Sequence, residues 1–483
     1  MPEYKLKFKD LNKSPFALGY DDARIVSRHC KFLANEVDIT SSLSDKIKLK
    51  QPFLSAAMDT VTESAMAIQM ALNGGLGVIH KSLSPEQQVL EVKKVKRFES
   101  GFILDPLTVK PEDSIAKVVE IKNSLGYKSI PVTDDGKPNG KLVGMISDKD
   151  YSILKHDKTL VANRMTPLGE LLTAPFGISL NEANDALLES KKGKLLLIDK
   201  QGYLRAMVTR TDIEKNNEYP LATKDKHKHL CVGAAIGGPG LDIDKRVPLL
   251  VENGTDVLFI DTAQAHSEGV RSAVKYLKDH LSSYPEVGWV VGNIDNTESA
   301  EFVFSTLEAQ CAKVGIGPGS ICTTANVTGA GIPQLTAVYE CAQVARQYNG
   351  KIIADGGFGD DTGNIVKAFL AGADAIMSGS FFAGTEECPV VDKTKYRGMS
   401  SLDALLKGGS SRYYQENLKK EDLVVQGIEK KVEYKGPVSR QITKLANALK
   451  FSMAIHCGCK TIGELHSSGT EFVIKYRKPQ NAR

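Results

Sequence analysis

The chain has 483 residues, 42% of them apolar and 25% charged, a composition that excludes a disordered polymer and a length that exceeds one ordinary domain. Lysine and arginine (62) outnumber aspartate and glutamate (58) by only 4 and are interspersed with them, which argues against a nucleic-acid partner. No apolar run approaches the ~20 residues that span a bilayer, and MPEYKLKFKD lacks the apolar core of a secretory signal. A soluble, cytoplasmic protein with no membrane partner is expected.

Short apolar, β-branched runs alternate with helical patterns, which predicts parallel βα units. Eight runs read as buried strands: 53–58, 76–80, 230–236, 256–261, 288–293, 312–316, 351–355 and 374–378. Eight such repeats predict a closed (β/α)8 barrel, with the active face at the strand C-termini. Residues 1–100 and 221–483 would supply it. Between them, 101–220 breaks the series and carries a weak internal repeat, KLVGMISDKDY at 141–151 against GYLRAMVTRTDI at 202–213. Each half, about 101–158 and 159–220, reads strand-helix-strand-strand-helix, so an inserted α+β domain is expected. HKH at 227–229 lies in the polar run KDKHKHL and reads as a solvated linker end. The stretch 380–450 departs from the βα rhythm, with KGGSSRYYQENLKKEDL at its centre. So long an irregular segment predicts a mobile flap, about 390–436.

The eight cysteines lack framework spacing, so reduced thiols are expected. Cys457 and Cys459 form C-x-C after His456 with no second pair, which favours packing beside a glycine turn over a metal site. Cys322 differs. It lies in VGIGPGSICTTANVTGAGIPQ (314–334), directly after a strand, among glycines that let backbone amides approach a ligand. A thiol at a barrel mouth is a candidate covalent nucleophile. ADGGF at 354–358 and MSGSFFAGT at 377–385 follow the last two strands, where barrels of this kind build phosphate sites. Asp355 is a candidate to hold a ribose diol, and the amides of Gly357, Gly379 and Ser380 a phosphate.

GIGPGSICTT, IADGG, SAAMDTVTE at 55–63 and YRGM at 396–399 resemble the family of inosine-monophosphate dehydrogenase and guanosine-monophosphate reductase. The resemblance covers essentially the whole chain. It implies that Cys322 attacks C2 of a purine nucleotide (IMP, XMP or GMP) and that hydride passes between C2 and a nicotinamide cofactor, NAD or NADPH. It implies nucleotide contacts at Met58, Ser320, Asp355, Gly357, Gly379, Ser380, Tyr396, Gly398, Met399 and Gln426. Asp261, Asn293 and Gly315 match positions near the cofactor, and Gly317, Gly319 and the Cys322 carbonyl match a potassium site. A homotetramer or octamer is also implied. The inserted repeats resemble tandem cystathionine-β-synthase motifs, a module that binds ATP, GTP or GMP; their Ser/Thr-x-x-Asp elements put Asp150 and Asp212 at the ribose.

The two sister activities share the covalent intermediate and then diverge. The dehydrogenase hydrolyses it with water activated by an Arg-Tyr pair on the flap, matched here by Arg412 and Tyr413, with Thr324 serving either mechanism. The reductase handles ammonia with a glutamate where this chain has Gln426, and a glutamine cannot take a proton as a carboxylate can. Together these favour the dehydrogenase, with its role in guanine nucleotide synthesis. Ser400 in YRGMSS, Ala325 after CTT, and an ending at VIKYRKPQNAR pull toward the reductase. Two readings from other classes stay open: a non-catalytic nucleotide-sensing scaffold, and a sugar-phosphate aldolase or isomerase with Lys81 as its Schiff-base candidate.

Overall fold

The computed structural model describes residues 5–14, 16–98, 102–103, 106–211, 213, 218–237, 243–413, 415 and 417–474. It divides into two compact units, one of residues 1–97, 221–224 and 230–483, the other of 98–220 and 225–229.

The first unit is a closed parallel barrel of eight strands. In chain order these are β1 (Phe53–Ser55), β2 (Leu76–Ile79), β3 (Gly233–Ile236), β4 (Val257–Asp261), β5 (Gly288–Ile294), β6 (Cys311–Val314), β7 (Lys351–Asp355) and β8 (Ala375–Ser378). Each is hydrogen-bonded to the next, and β8 closes on β1 through Ile376–Phe53, Met377–Leu54 and Ser378–Ser55. All eight expected runs are strands, most of them shorter. Ala56–Met58, expected to extend β1, instead turns into the loop at its C-terminal end. Side chains alternate across a strand, so one set from every second position fills the barrel: Leu54, Leu76, Val78, Ala235, Val257, Phe259, Val290, Cys311, Ile353, Ala375 and Met377 form one buried cluster.

Each strand is followed by a helix: α1 (Ser64–Leu72), α2 (Pro85–Lys96), α3 (Ile243–Glu252), α4 (Glu268–Leu281), α5 (Thr297–Glu301), α6 (Gln334–Gln347), α7 (Gly363–Ala371) and α8 (Val438–Phe451). Local sequence sets their ends. Ser84 caps α2 by accepting from the Gln87 amide, with Pro85 in the first turn, where its missing N–H costs nothing. In α4, Val270, Ala273, Val274, Leu277 and Leu281 share the buried face at helical spacing.

Residues 380–450 are therefore less irregular than their composition predicts. The flap is an insertion between β8 and α8, and α8 resumes the βα rhythm by burying Val438, Ile442, Leu445, Ala446 and Leu449. At its base, Lys395–Arg397 pairs antiparallel with Glu429–Lys431. Arg397 anchors this ribbon, its guanidinium paired with Asp59 of the β1 loop and with Asp403.

The chain leaves the barrel after α2 and returns before β3. The second unit holds two three-stranded sheets, Ser129–Thr133, Leu142–Ser147 and Thr166–Pro167 in one, Thr173–Pro175, Lys194–Ile198 and Leu204–Thr209 in the other. Helices Ile115–Leu125 and Leu180–Ser190 each cover one sheet through a separate core. A third cluster, Ile103, Leu142, Leu196, Leu204 and Met207, joins the halves.

Candidate active site

At the C-terminal end of the barrel lies a cleft of roughly 150 Å³, open to solvent. Its walls come from four sources: the loop after β1, the ends of β4 to β7, the loop after β8, and the flap.

Cys322 lies in the loop after β6 and is partly exposed. That loop is held by the returning arm of the flap. The Thr323 amide donates to the Gln426 carbonyl at 2.8 Å, and the Ile428 amide to the Ile321 carbonyl at 3.0 Å. The same arm pairs on its other side with the YRGMSS segment: Gln426 N donates to Ser400 O at 3.1 Å, and Gly398 N to Ile428 O at 3.0 Å. Three lengths of backbone thus lie side by side and bring their side chains together. Cys322 Sγ is 3.1 Å from Thr324 Oγ1, which donates to Gln426 Oε1 at 3.1 Å. The Ser400 hydroxyl hydrogen-bonds Tyr413.

Below the thiol lies a group of buried charges. Lys313 in β6, 2% exposed, points its ammonium at Asp355 Oδ2 (2.6 Å), Asp261 Oδ1 (3.0 Å) and the Asn293 side-chain oxygen. Asn293 Nδ2 donates to Gly315 O at 2.6 Å and to Asp355 Oδ2 at 3.0 Å. The other Asp261 oxygen takes the Arg412 guanidinium. Burial works to raise the Asp261 carboxyl, yet the neighbouring Arg412 and Lys313 cations win and hold it below its usual range. Burial likewise opposes charge on Arg412, and the Asp261 carboxylate more than restores it. Arg412 stands 5.9 Å from the centroid of the Tyr413 ring. Burial raises the Tyr413 phenol, while Arg412 and then the Ser400 hydrogen bond pull it partly back.

The loops after β7 and β8 form the opposite wall. Packing is tight at Gly379, where a Cβ would lie 2.5 Å from the Tyr396 hydroxyl and 2.7 Å from Met58 Sδ, so that one of these side chains would have to shift. Tyr396 is buried, and desolvation, followed by the charge of Asp355, keeps it a neutral phenol. Ser380 Oγ donates to Gly359 O at 3.2 Å. Two lysines that sequence inspection passed over reach the loops around the cleft: Lys435 Nζ donates to Ser380 O in the loop after β8 at 2.5 Å, and Lys430 Nζ to Ser320 Oγ in the loop after β6 at 3.1 Å.

Of the residues expected from sequence, Met58, Asp261, Asn293, Gly315, Gly317, Gly319, Cys322, Thr324, Asp355, Gly379, Tyr396, Gly398, Met399, Arg412, Tyr413 and Gln426 line this one cleft. Ser320, Gly357 and Ser380 are not among its lining residues. Lys313 was missed; the only signal was a lysine inside the buried run CAKV. In the second unit, Asp150 turns its carboxylate onto its own loop, accepting from Ser147 N (2.6 Å) and Ser147 Oγ (2.8 Å). Asp212 lies outside the described residues. Cys457 and Cys459 are buried beside Gly458, burial pushes the Cys457 thiol up to about 12, and no cluster of three metal-ligating side chains occurs among the described residues.

A (β/α)8 barrel with a thiol at its mouth, beside glycine-lined loops after β7 and β8, has the architecture of the barrel class of enzymes. Comparison with known proteins makes the class specific. The model of the IMP dehydrogenase / GMP reductase domain matches residues 17–478, and the chain belongs to that family. It is 41% identical over 463 residues to inosine-5'-monophosphate dehydrogenase of Halalkalibacterium halodurans, covering 94% of this chain and 93% of that one. To the Staphylococcus epidermidis enzyme of the same name it is 43% identical over 444 residues, 90% and 89% of the two chains. Among solved structures it resembles a cysteine-to-alanine variant of GMP reductase from Trypanosoma brucei in complex with guanosine 5'-monophosphate (TM-score 0.81, 34% identity, 97% of each chain). It also resembles the Trypanosoma brucei enzyme in complex with guanosine 5'-triphosphate (TM-score 0.76, 32% identity, 97% of this chain and 100% of that one).

Proposed function

We propose that the chain is an NAD-dependent IMP dehydrogenase. One observation carries this reading within the family: Arg412, Tyr413 and Gln426 line the same cleft as Cys322 and Thr324, with an amide and not a carboxylate on the threonine. The Cys322 thiolate adds to C2 of IMP and makes that carbon tetrahedral. Hydride then leaves C2 for the nicotinamide, and the C–S bond is retained in a thioimidate. Water held by the Arg412 guanidinium and the Tyr413 hydroxyl attacks C2, its proton is released to solvent, and the C–S bond breaks to release XMP and the thiolate. Asp355 receives the substrate ribose, the loops of Gly357, Gly379 and Ser380 its phosphate, and Tyr396 stands over Gly379. Asp261 faces the cofactor ribose, and backbone at Gly315 comes close because no side chain fits there: a Cβ would strike the Asp355 carbonyl at 2.4 Å. The carbonyls of Gly317, Gly319 and Cys322 are neutral oxygen donors suited to potassium; that of Gly319 accepts the Cys322 amide at 3.0 Å and keeps its second lone pair.

The second reading, NADPH-dependent reduction of GMP to IMP on the same cysteine, is favoured by Ser400 against Tyr413 and by the likeness to the trypanosomal reductase. Absorbance of the reduced nicotinamide decides between them. Production of NADH from IMP and NAD, with little oxidation of NADPH by GMP, supports the dehydrogenase; the reverse pattern assigns the reductase. For the second unit we propose purine-nucleotide regulation through a tandem cystathionine-β-synthase module, on the strength of its two matching halves and their joint core. Calorimetry of the whole chain, with the catalytic site filled by XMP, checks it: absence of ATP, GTP and GMP binding removes the proposal.

A further inference from the structure

A lysine inside a buried barrel strand needs a reason. Taking an ammonium out of water costs several kcal/mol unless its partners restore what water supplied. Lys313 has three N–H donors and no acceptor, and three oxygens face it: Asp261 Oδ1 at 3.0 Å, Asp355 Oδ2 at 2.6 Å and the Asn293 amide oxygen. Two of its donors are hydrogen-bonded, to Asp355 Oδ2 and the Asn293 amide oxygen, and the ammonium stands in ion-pair contact with Asp261 Oδ1, so its effect on a ligand runs through those partners. The partners come from β4, β5 and β7, whereas Lys313 stands on β6. Space for its stem is made on the neighbouring strand by Gly292, where a Cβ would fall 2.7 Å from Lys313 Cβ. The charges balance as a set: Lys313 and Arg412 against Asp261 and Asp355.

We propose that Lys313 is a positioning residue that ties the carboxylate receiving the nucleotide ribose, Asp355, to the carboxylate receiving the cofactor ribose, Asp261. The inference rests on the roles given to Asp355 and Asp261 above. One ammonium touching both carboxylates fixes their separation, and with it the distance between the hydride donor carbon and its acceptor. Such distances matter because hydride transfer requires reacting atoms at near-contact spacing, and displacement by an ångström costs about 100-fold in rate. A staple that merely fills the barrel would raise stability and leave the two ligands uncoupled.

The test is Lys313→Met, which keeps an unbranched stem one atom shorter and removes the charge, assayed with IMP carrying hydrogen or deuterium at C2. For the wild type the expected result is an isotope-independent kcat, with hydrolysis the slower step. In Lys313→Met the KM values for IMP and for NAD both rise, each by about tenfold, and a deuterium effect emerges on kcat because hydride transfer has become limiting. A lowered Tm with both KM values within about twofold of wild type, and no isotope effect, would show a structural staple and overturn the inference. If Lys313→Met does not fold, Lys313→Arg decides. It keeps the charge but spreads the carboxylates with a larger head group, so the isotope effect appears with the fold intact; wild-type isotope behaviour there also overturns it. Cys322→Ala, run alongside, separates the two levels. An active Cys322→Ala refutes the mechanism itself, whereas an inactive one beside normal Lys313 variants refutes the tether alone.

Discussion

Arg412→Ala offers the sharpest separation of the two halves of the proposed reaction. Its guanidinium is paired with Asp261, and the two side chains are only 19% and 7% exposed. Removing one partner of a buried pair costs about 3–5 kcal/mol, because the other charge stays behind. Asp261 keeps Lys313 at 3.0 Å, so the lower end applies, about 3 kcal/mol, or roughly 100-fold in the docked population of the flap at 1.36 kcal/mol per decade. Loss of the cation that holds and polarises the attacking water is worth about 10²–10³. The two losses overlap in one side chain and do not add. Hydrolysis should therefore slow by roughly 10²–10³-fold. Hydride transfer, which uses Cys322, Asp355 and Asp261, should change by less than about threefold. Rapid mixing of enzyme, IMP and NAD would then show a burst of NADH equal to the enzyme concentration, followed by a slow steady state. Tyr413→Phe, which leaves the guanidinium pair in place, should give a smaller loss. If burst and steady-state rates fall by the same factor in Arg412→Ala, the flap does not divide the reaction as argued, and Arg412 serves binding alone.

Cys322→Ala should abolish turnover while IMP still binds in calorimetry, since phosphate and ribose contacts come from other loops; activity within about tenfold of wild type would remove the thiol from the mechanism. Gly379→Ala places a methyl group 2.5 Å from the Tyr396 hydroxyl and 2.7 Å from Met58 Sδ. The strain, about 1–3 kcal/mol for overpacking, should appear as a KM for the nucleotide raised roughly 5- to 100-fold with little change in the KM for NAD, and equal changes in both would count against a nucleotide wall. His466 is half-buried with Nε2 2.8 Å from the Ala373 carbonyl, and desolvation lowers its pKa below the usual 6.5. Between that lowered value and 6.5 the unfolded chain binds a proton that the folded chain refuses, so stability falls as pH drops through this window. Tm measured from pH 7 downward should show that decline, and His466→Gln should lessen it; identical pH slopes would refute the assignment.

What was legible in the chain was whatever is written within a few residues. Barrel strands covered on both faces need continuous apolar runs, so all eight stood out, and GIGPGSICTT, ADGG and SGS marked the loops after β6, β7 and β8 because close backbone approach requires glycine locally. Strand ends were overrun where apolar residues such as Ala56–Met58 serve the cleft and not the sheet. The helix Val438–Phe451 was hidden because its charged exposed face dominated the composition of 380–450, while its core face shows only as spacing. The chemistry of the cleft was settled by partners far apart in sequence. Nothing near Lys313 announces that Asp261, Asn293 and Asp355 will surround it, nor does the neighbourhood of Cys322 reveal that Gln426 will reach Thr324 from the flap. Sequence alone determined the strand count, the glycine loops and the candidate thiol, since those follow from local sterics and periodicity. Only the tertiary structure decided which charges neutralise one another, because the energy of a buried charge depends on groups that chain closure brings within a few ångströms.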